Sequence, residues 1–130
     1  MSASKYLFIV SMNVKSEYED LFNEVYDDEH VPYLLEVPGV NKVTRGKGEP
    51  FQFSIAGETK NMDAPHQKFV ALYEINSPDV VKSPEWATAV EKGRWSEQVR
   101  EHTSDRSHFM YKYLKSVSYT HLTLPTIYSV

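Results

Sequence analysis

The sequence predicts an α+β domain with helices on one face of an antiparallel sheet, and three observations carry that reading. A continuous apolar run, Tyr6 to Val10, has the character of a strand buried on both sides. An amphipathic helical stripe follows it directly. The chain then returns to strand patterns interrupted by short helices that begin with proline.

Lys5 to Asn13 forms the first predicted strand, rich in aromatic and β-branched residues. Ser16 is placed to cap the helix that follows, with Glu17, Glu19 and Asp20 where acids suit the positive end of the helix dipole. Tyr18, Leu21, Phe22 and Val25 fall at helical spacing and make one packing stripe. Tyr26 and His30 continue the row from Phe22 at intervals of four, which sets His30 at the edge of the buried face. Pro32 and then Pro38-Gly39 break the element, so the helix is expected from about residue 16 to about residue 30, with an irregular turn to Leu35.

Val40 to Arg45 alternates and starts a second strand, which Phe51 to Ile55 extends. Gly57 to Pro65, rich in turn formers, is expected as a mobile loop. Lys68 to Asn76 is the next strong strand. Ser77-Pro78 and Ser83-Pro84 each pair a cap with proline at the first helical position. They predict two short helices, Pro78 to Lys82 and Pro84 to Lys92, with Trp86 and Val90 facing inward and Gly93 as the stop. Arg94 to Arg100 adds a further turn, and Asp105 to Leu114 is the last strand. The resulting order, β-α-β-β-α-β, is that of a split βαβ, ferredoxin-like domain. Both faces of the first strand are apolar, which predicts a homodimer with two sheets packed face to face.

Composition narrows the function classes. The chain has 130 residues, 41% hydrophobic and 25% charged, as in a globular domain with one core. A net charge of -4 offers no basic stripe for nucleic acid and no attraction to anionic lipid. Without cysteine there is neither a disulfide framework nor thiolate chemistry, which fits a reducing cytoplasm. No apolar run is long enough to span a membrane, and the one near the N-terminus is too short for a signal peptide. Residues 117–130, VSYTHLTLPTIYSV, carry no formal charge and abandon the helix and strand patterns. They resemble the translation of a transposon-based sequencing-library adapter, so the native domain is expected to span residues 1–116, and His121 is set aside.

His30 is the first candidate for chemistry, because histidine titrates near neutral pH and serves as general base or acid after small tuning. The competing reading is a helix-end histidine that merely packs against Pro32. Tyr26, Tyr73 and Tyr111 are candidates for orienting or polarising a carbonyl or phenol oxygen, and the competing reading is packing with their tips in water. Tyr6, Phe22, Arg45, Trp86 and Trp95 are candidate substrate-binding residues. Tyr113, His102 and His108 are further polar candidates, and strand alternation puts Tyr111 with Tyr113 opposite His108 with Met110. Gly93-Arg94-Trp95, Val99-Arg100 and His102-Thr103 read as a lid or a dimer seam, with Arg and Trp favouring the seam. No metal-ligand spacing exists, Gly46-Lys47-Gly48 is not a phosphate cradle, and no Ser-His-Asp triad can be placed. The expected chemistry needs no metal or cofactor.

Several pieces together resemble the EthD-like group of dimeric α/β-barrel proteins. They are Asp-Glu-His-Val-Pro at 28–32, LEVPGV at 35–40, FVALYE at 69–74, SPEW at 83–86, and Gly93-Arg94-Trp95 ahead of Arg100. The resemblance covers residues 5–114, and Gly48 to Pro65 is an insertion relative to compact members. It implies a ferredoxin-like protomer, a dimer, and a pocket between helices and sheet in which His30 matches the recurring histidine. Relatives include cofactor-free monooxygenases, cyclases, lyases, isomerases and haem-binding members. The expected function is a cofactor-independent proton-transfer or monooxygenase-type enzyme acting on a hydrophobic aromatic or polyketide-like molecule. The alternative is a non-catalytic ligand-binding protein. Haem chemistry would need an axial histidine such as His66, His102 or His108.

Overall fold

The computed structural model describes residues 4–115, so the tail expected to be non-native lies outside the described residues. Strand β1, Tyr6–Val14, occupies the middle of a four-stranded sheet. β2 is Val40–Lys47, β5 Phe69–Ile75 and β6 Thr103–Lys112, and the order across the sheet is β2-β5-β1-β6, antiparallel throughout. This is the ferredoxin-like α+β arrangement that the order of elements predicted.

The helix after β1 runs further than its prolines implied. A 3-10 turn, Ser16–Tyr18, leads into α1, Glu19–Val25; a π-helical turn, Tyr26–His30, follows, and α2 is Val31–Leu35. Ser16 lies inside the first turn and makes no side-chain cap. The expected end at His30 is therefore corrected to Leu35. Pro32 has no N–H to offer Asp28, and its ring would press on that carbonyl in a regular helix. The wider turn just ahead of it, in which the Val31 N–H reaches the Tyr26 carbonyl, lets the helix pass the proline.

The insertion is ordered as a β-hairpin, not as a mobile loop or an extension of β2. β3, Phe51–Ile55, pairs with β4, Glu58–Met62, as a separate two-stranded sheet. Its two-residue turn, Ala56-Gly57, holds both residues at positive φ (54° and 77°), the geometry that matches the twist of a tight hairpin. Between β5 and β6 the two Ser-Pro signals act as expected: Ser77 accepts from the Asp79 N–H and Ser83 from the Trp86 N–H. They start a 3-10 turn, Pro78–Lys82, and α3, Pro84–Ala89. A second π-helical turn, Trp95–Val99, and a 3-10 turn, Arg100–His102, lead into β6.

All helices lie against one face of the main sheet. Phe69, Ala71, Tyr73 and Ile75 alternate inward along β5, and Phe22, Val25 and Leu34 close over them, all buried. Cross-strand register sets a row of large rings, Tyr73 beside Phe8, next to a row of short side chains, Ala71 beside Val10. None of the helices in the described residues is long and apolar enough to cross a membrane.

Candidate functional site

Two adjacent residues on the first π-helical turn grip two adjacent residues at the start of the second. The Glu29 carboxylate accepts from the Arg94 backbone N–H (2.9 Å) and from Arg94 Nε (2.6 Å), and Glu24 holds the same guanidinium at 3.0 Å. Next in the chain, His30 stacks on Trp95 with ring centroids 4.5 Å apart and planes 22° apart. The Arg94 N–H and side chain hold the Glu29 carboxyl below its ordinary value. Gly93 permits the clasp: its φ is 71°, and a Cβ there would lie 2.5 Å from Glu29 Oε1.

His30 is 5% exposed, and its Nδ1 is buried with no hydrogen-bond partner among the described residues. Burial lowers the imidazole to about 4, with repulsion from Arg100 and then Arg45 adding to it and Glu91 opposing. The ring is therefore neutral at physiological pH. Tyr26 stands edge-on to it, centroids 5.0 Å apart, and the Tyr26 hydroxyl meets the Tyr73 hydroxyl at 3.1 Å. Burial raises both phenols, Tyr73 well above its ordinary value, so the pair remains protonated. Behind Tyr26 the Arg45 guanidinium lies 4.4 Å from the ring centroid, fixed by Asp27 (2.7 Å) and Asn23 (2.9 Å).

These rings close on a cavity of about 180 Å³. His30, Tyr26, Tyr73, Trp86 and Trp95, all expected in the site, line it together with Phe8 and Val10. Trp86 packs edge-on to both Phe8 and Tyr73. Arg100, Arg106 and His108 complete the wall. A larger hollow of about 370 Å³ beside α2 and α3, lined by Tyr33, Glu36 and Lys92 among others, holds no buried ionisable group.

Other expected members lie elsewhere. Tyr111 is 57% exposed on the opposite face of β6, beside Leu7 and Ile9, because side chains alternate across a strand. It does not meet His30. Phe22 is wholly buried core, Tyr6 is half-buried outside the cavity, and Arg45 supports Tyr26 from behind without facing the space. Trp95, expected at a seam or in a pocket, is buried against His30 and Tyr26 within the chain. Arg100 and Arg106 were missed as site residues. Both had a legible signal: Arg106 precedes His108 by two on a predicted strand, and Arg100 belongs to the run that reads as a lid or a dimer seam.

A porphyrin does not fit. The cavity falls short of the roughly 300–1,000 Å³ that drug-sized ligands occupy. Of the three candidate axial histidines, His66 is exposed near Asp105, and His102 is stacked on Tyr18 with centroids 3.5 Å apart. Only His108 reaches the cavity, and it does so at the rim. No group of three metal-binding side chains occurs among the described residues.

No family model matches the chain, and no curated protein matches it in sequence. Solved structures do. An EthD-family protein of Bacillus halodurans superposes with a TM-score of 0.51 at 12% identity, covering 84% of this chain and 99% of that one. HapK of Hahella chejuensis gives 0.58 at 10% identity, with 87% and 96% covered. A mutant of MhuD bearing two manganese protoporphyrin IX groups per active site gives 0.54 at 10% identity, with 87% and 98% covered. At these identities the likeness concerns the backbone: the chain has an EthD-like, ferredoxin-like fold.

Proposed function

We propose that this protein is a cofactor-independent enzyme that moves a proton on a small, hydrophobic, carbonyl-bearing aromatic molecule, with His30 as the base. The observation that carries the reading is a buried, neutral imidazole facing an aromatic cavity beside two hydrogen-bonded phenols. In the step proposed, His30 takes the proton from a carbon next to the carbonyl. The C–H electron pair becomes the enolate, whose oxygen accepts a hydrogen bond from the Tyr26–Tyr73 pair. The imidazolium and the enolate form together, so each offsets the cost of burying the other. Returning the proton to another carbon is an isomerisation; expelling a β-hydroxyl as water is a dehydration. The cavity volume favours a single-ring substrate over an extended polyketide.

The second reading is a ligand-binding protein without turnover. It is favoured by the bare Nδ1 of His30, since a catalytic imidazole usually has its second nitrogen held by a carboxylate or carbonyl. The outward face of the sheet, where Phe109 and Tyr111 stand exposed beside Leu7 and Ile9, supports a second copy packed there as a homodimer.

The test incubates the full chain and His30→Ala with hydroxylated aromatic ketones and lactones, following melting temperature and product mass together. Conversion by the native chain, slowed about a hundred- to ten-thousand-fold in His30→Ala, is the expected result. An unchanged rate removes His30 from the chemistry. Equal stabilisation of both proteins with no new mass establishes the binder.

A further inference from the structure

The chain has four arginines, and three of them are engaged by carboxylates: Arg45 by Asp27, Arg94 by Glu29 and Glu24, and Arg100 by Glu91. Arg106 has no carboxylate partner among the described residues, although the chain carries an excess of acids and Asp105 adjoins it in sequence. The backbone accounts for this. The pairing of β1 with β6 shifts register between Ser11 and Asn13, leaving one extra residue on β6, and Asp105 sits there at a positive φ of 53°. A bulge of this kind re-aims side chains. Asp105 turns to Asn13 Nδ2 (3.1 Å) and His66 (3.6 Å), and Arg106 turns to the other side, onto the wall of the cavity. Two residues on, His108 lines the same wall with its ring stacked over Phe8, centroids 6.0 Å apart. β6 is an edge strand, so Arg106 and His108, both exposed, border the mouth while His30 lies buried within.

From this geometry we infer that the mouth is an anion subsite, and that the molecule it takes is a single-ring carboxylic acid whose carboxylate pairs with Arg106 and His108 while its ring enters the aromatic cavity. The inference deepens the proton-transfer reading and rests on it only for the name "substrate". A guanidinium offers a carboxylate two parallel N–H donors, which a solvated surface cation has no need to aim at a cavity. The two ends of the site then divide the work, with Arg106 orienting the ring and His30 meeting the carbon acid. Partial burial and the neighbouring Arg106 charge keep His108 below its ordinary value. A carboxylate between them reverses that influence, so binding draws a proton onto His108.

The full chain, with labelled histidines, is titrated by NMR and calorimetry with benzoate and with its neutral isostere benzamide, alongside Arg106→Gln, Arg106→Lys and His30→Ala. Benzoate is expected to bind about tenfold or more tightly than benzamide. Arg106→Gln should erase most of that preference by weakening benzoate far more than benzamide, and Arg106→Lys should retain part of it as a point charge. The His108 titration should move upward with benzoate and stay put with benzamide. Equal affinities in the native chain, a preference that largely survives Arg106→Gln, or no binding of either probe overturns the subsite. His30→Ala should keep the benzoate preference, so these titrations alone decide the subsite. The separate His30→Ala turnover comparison on ketones and lactones decides the proton-transfer reading.

Discussion

The two faces of the main sheet are both apolar, and only one of them is covered within the chain. On the helix side, Phe69, Ala71, Tyr73 and Ile75 are buried beneath Phe22, Val25 and Leu34. On the other side Phe109 and Tyr111 remain 56% and 57% exposed. The contrast shows that the apolarity of a strand face does not say what covers it. It also separates the tyrosines. Tyr26 and Tyr73 belong to the covered face and meet each other beside His30, whereas Tyr111 belongs to the open face and meets none of them.

The sharpest way to break the comparison is to open the covered face. Phe22 is fully buried and touches Tyr26, Phe69 and Trp95, so Phe22→Ala should cost about 3–5 kcal/mol in chemical denaturation. A loss below about 1 kcal/mol would mean that the stripe is not the core.

Acid should act on the same face through His30. The native imidazole titrates at about 4, below its ordinary 6.5, so between these values the unfolded chain binds the proton more readily than the folded one. This contribution to stability is intact above pH 6.5 and lost progressively as pH falls to about 4, reaching roughly 3 kcal/mol. His30→Leu should flatten that part of the stability curve, as read from denaturation midpoints at successive pH values. The same steepness in the variant would assign the acid lability elsewhere.

The open face should answer least. In dilute solution, where copies are apart, Phe109→Ser should change stability by no more than about 0.5 kcal/mol. At high concentration sedimentation should show the native chain as a dimer and Phe109→Glu as a monomer. A native chain that stays monomeric at high concentration would leave the open face without a second copy.

Much of the frame was legible because it is written locally. The period-2 run of β5, the Ser-Pro caps at Ser77 and Ser83 and the apolar stripe of α1 each depend on residues a few positions apart. His30 was legible for the same reason, as the continuation of the row through Phe22 and Tyr26. The passage of the helix over Pro32 was not, because a π-helical turn has no sequence signature comparable to a cap. The hairpin was also missed: its turn is Ala56-Gly57, and an alanine at positive φ is a weak signal beside Asn-Gly or Asp-Gly.

The sequence by itself determined the order of the main-sheet strands and helices, the antiparallel α+β class and the helix face that carries His30, since helix and strand periods are properties of neighbouring residues. Only the tertiary structure decided what stands around that histidine. Trp95 reaches it through the clasp between Glu29 and Arg94, 65 residues apart, and Asn13 and His66 hold Asp105 away from Arg106 at the mouth. Contacts across such separations depend on register, bulges and the path of the backbone. No local pattern encodes these, and packing settles them only when the whole sheet is assembled.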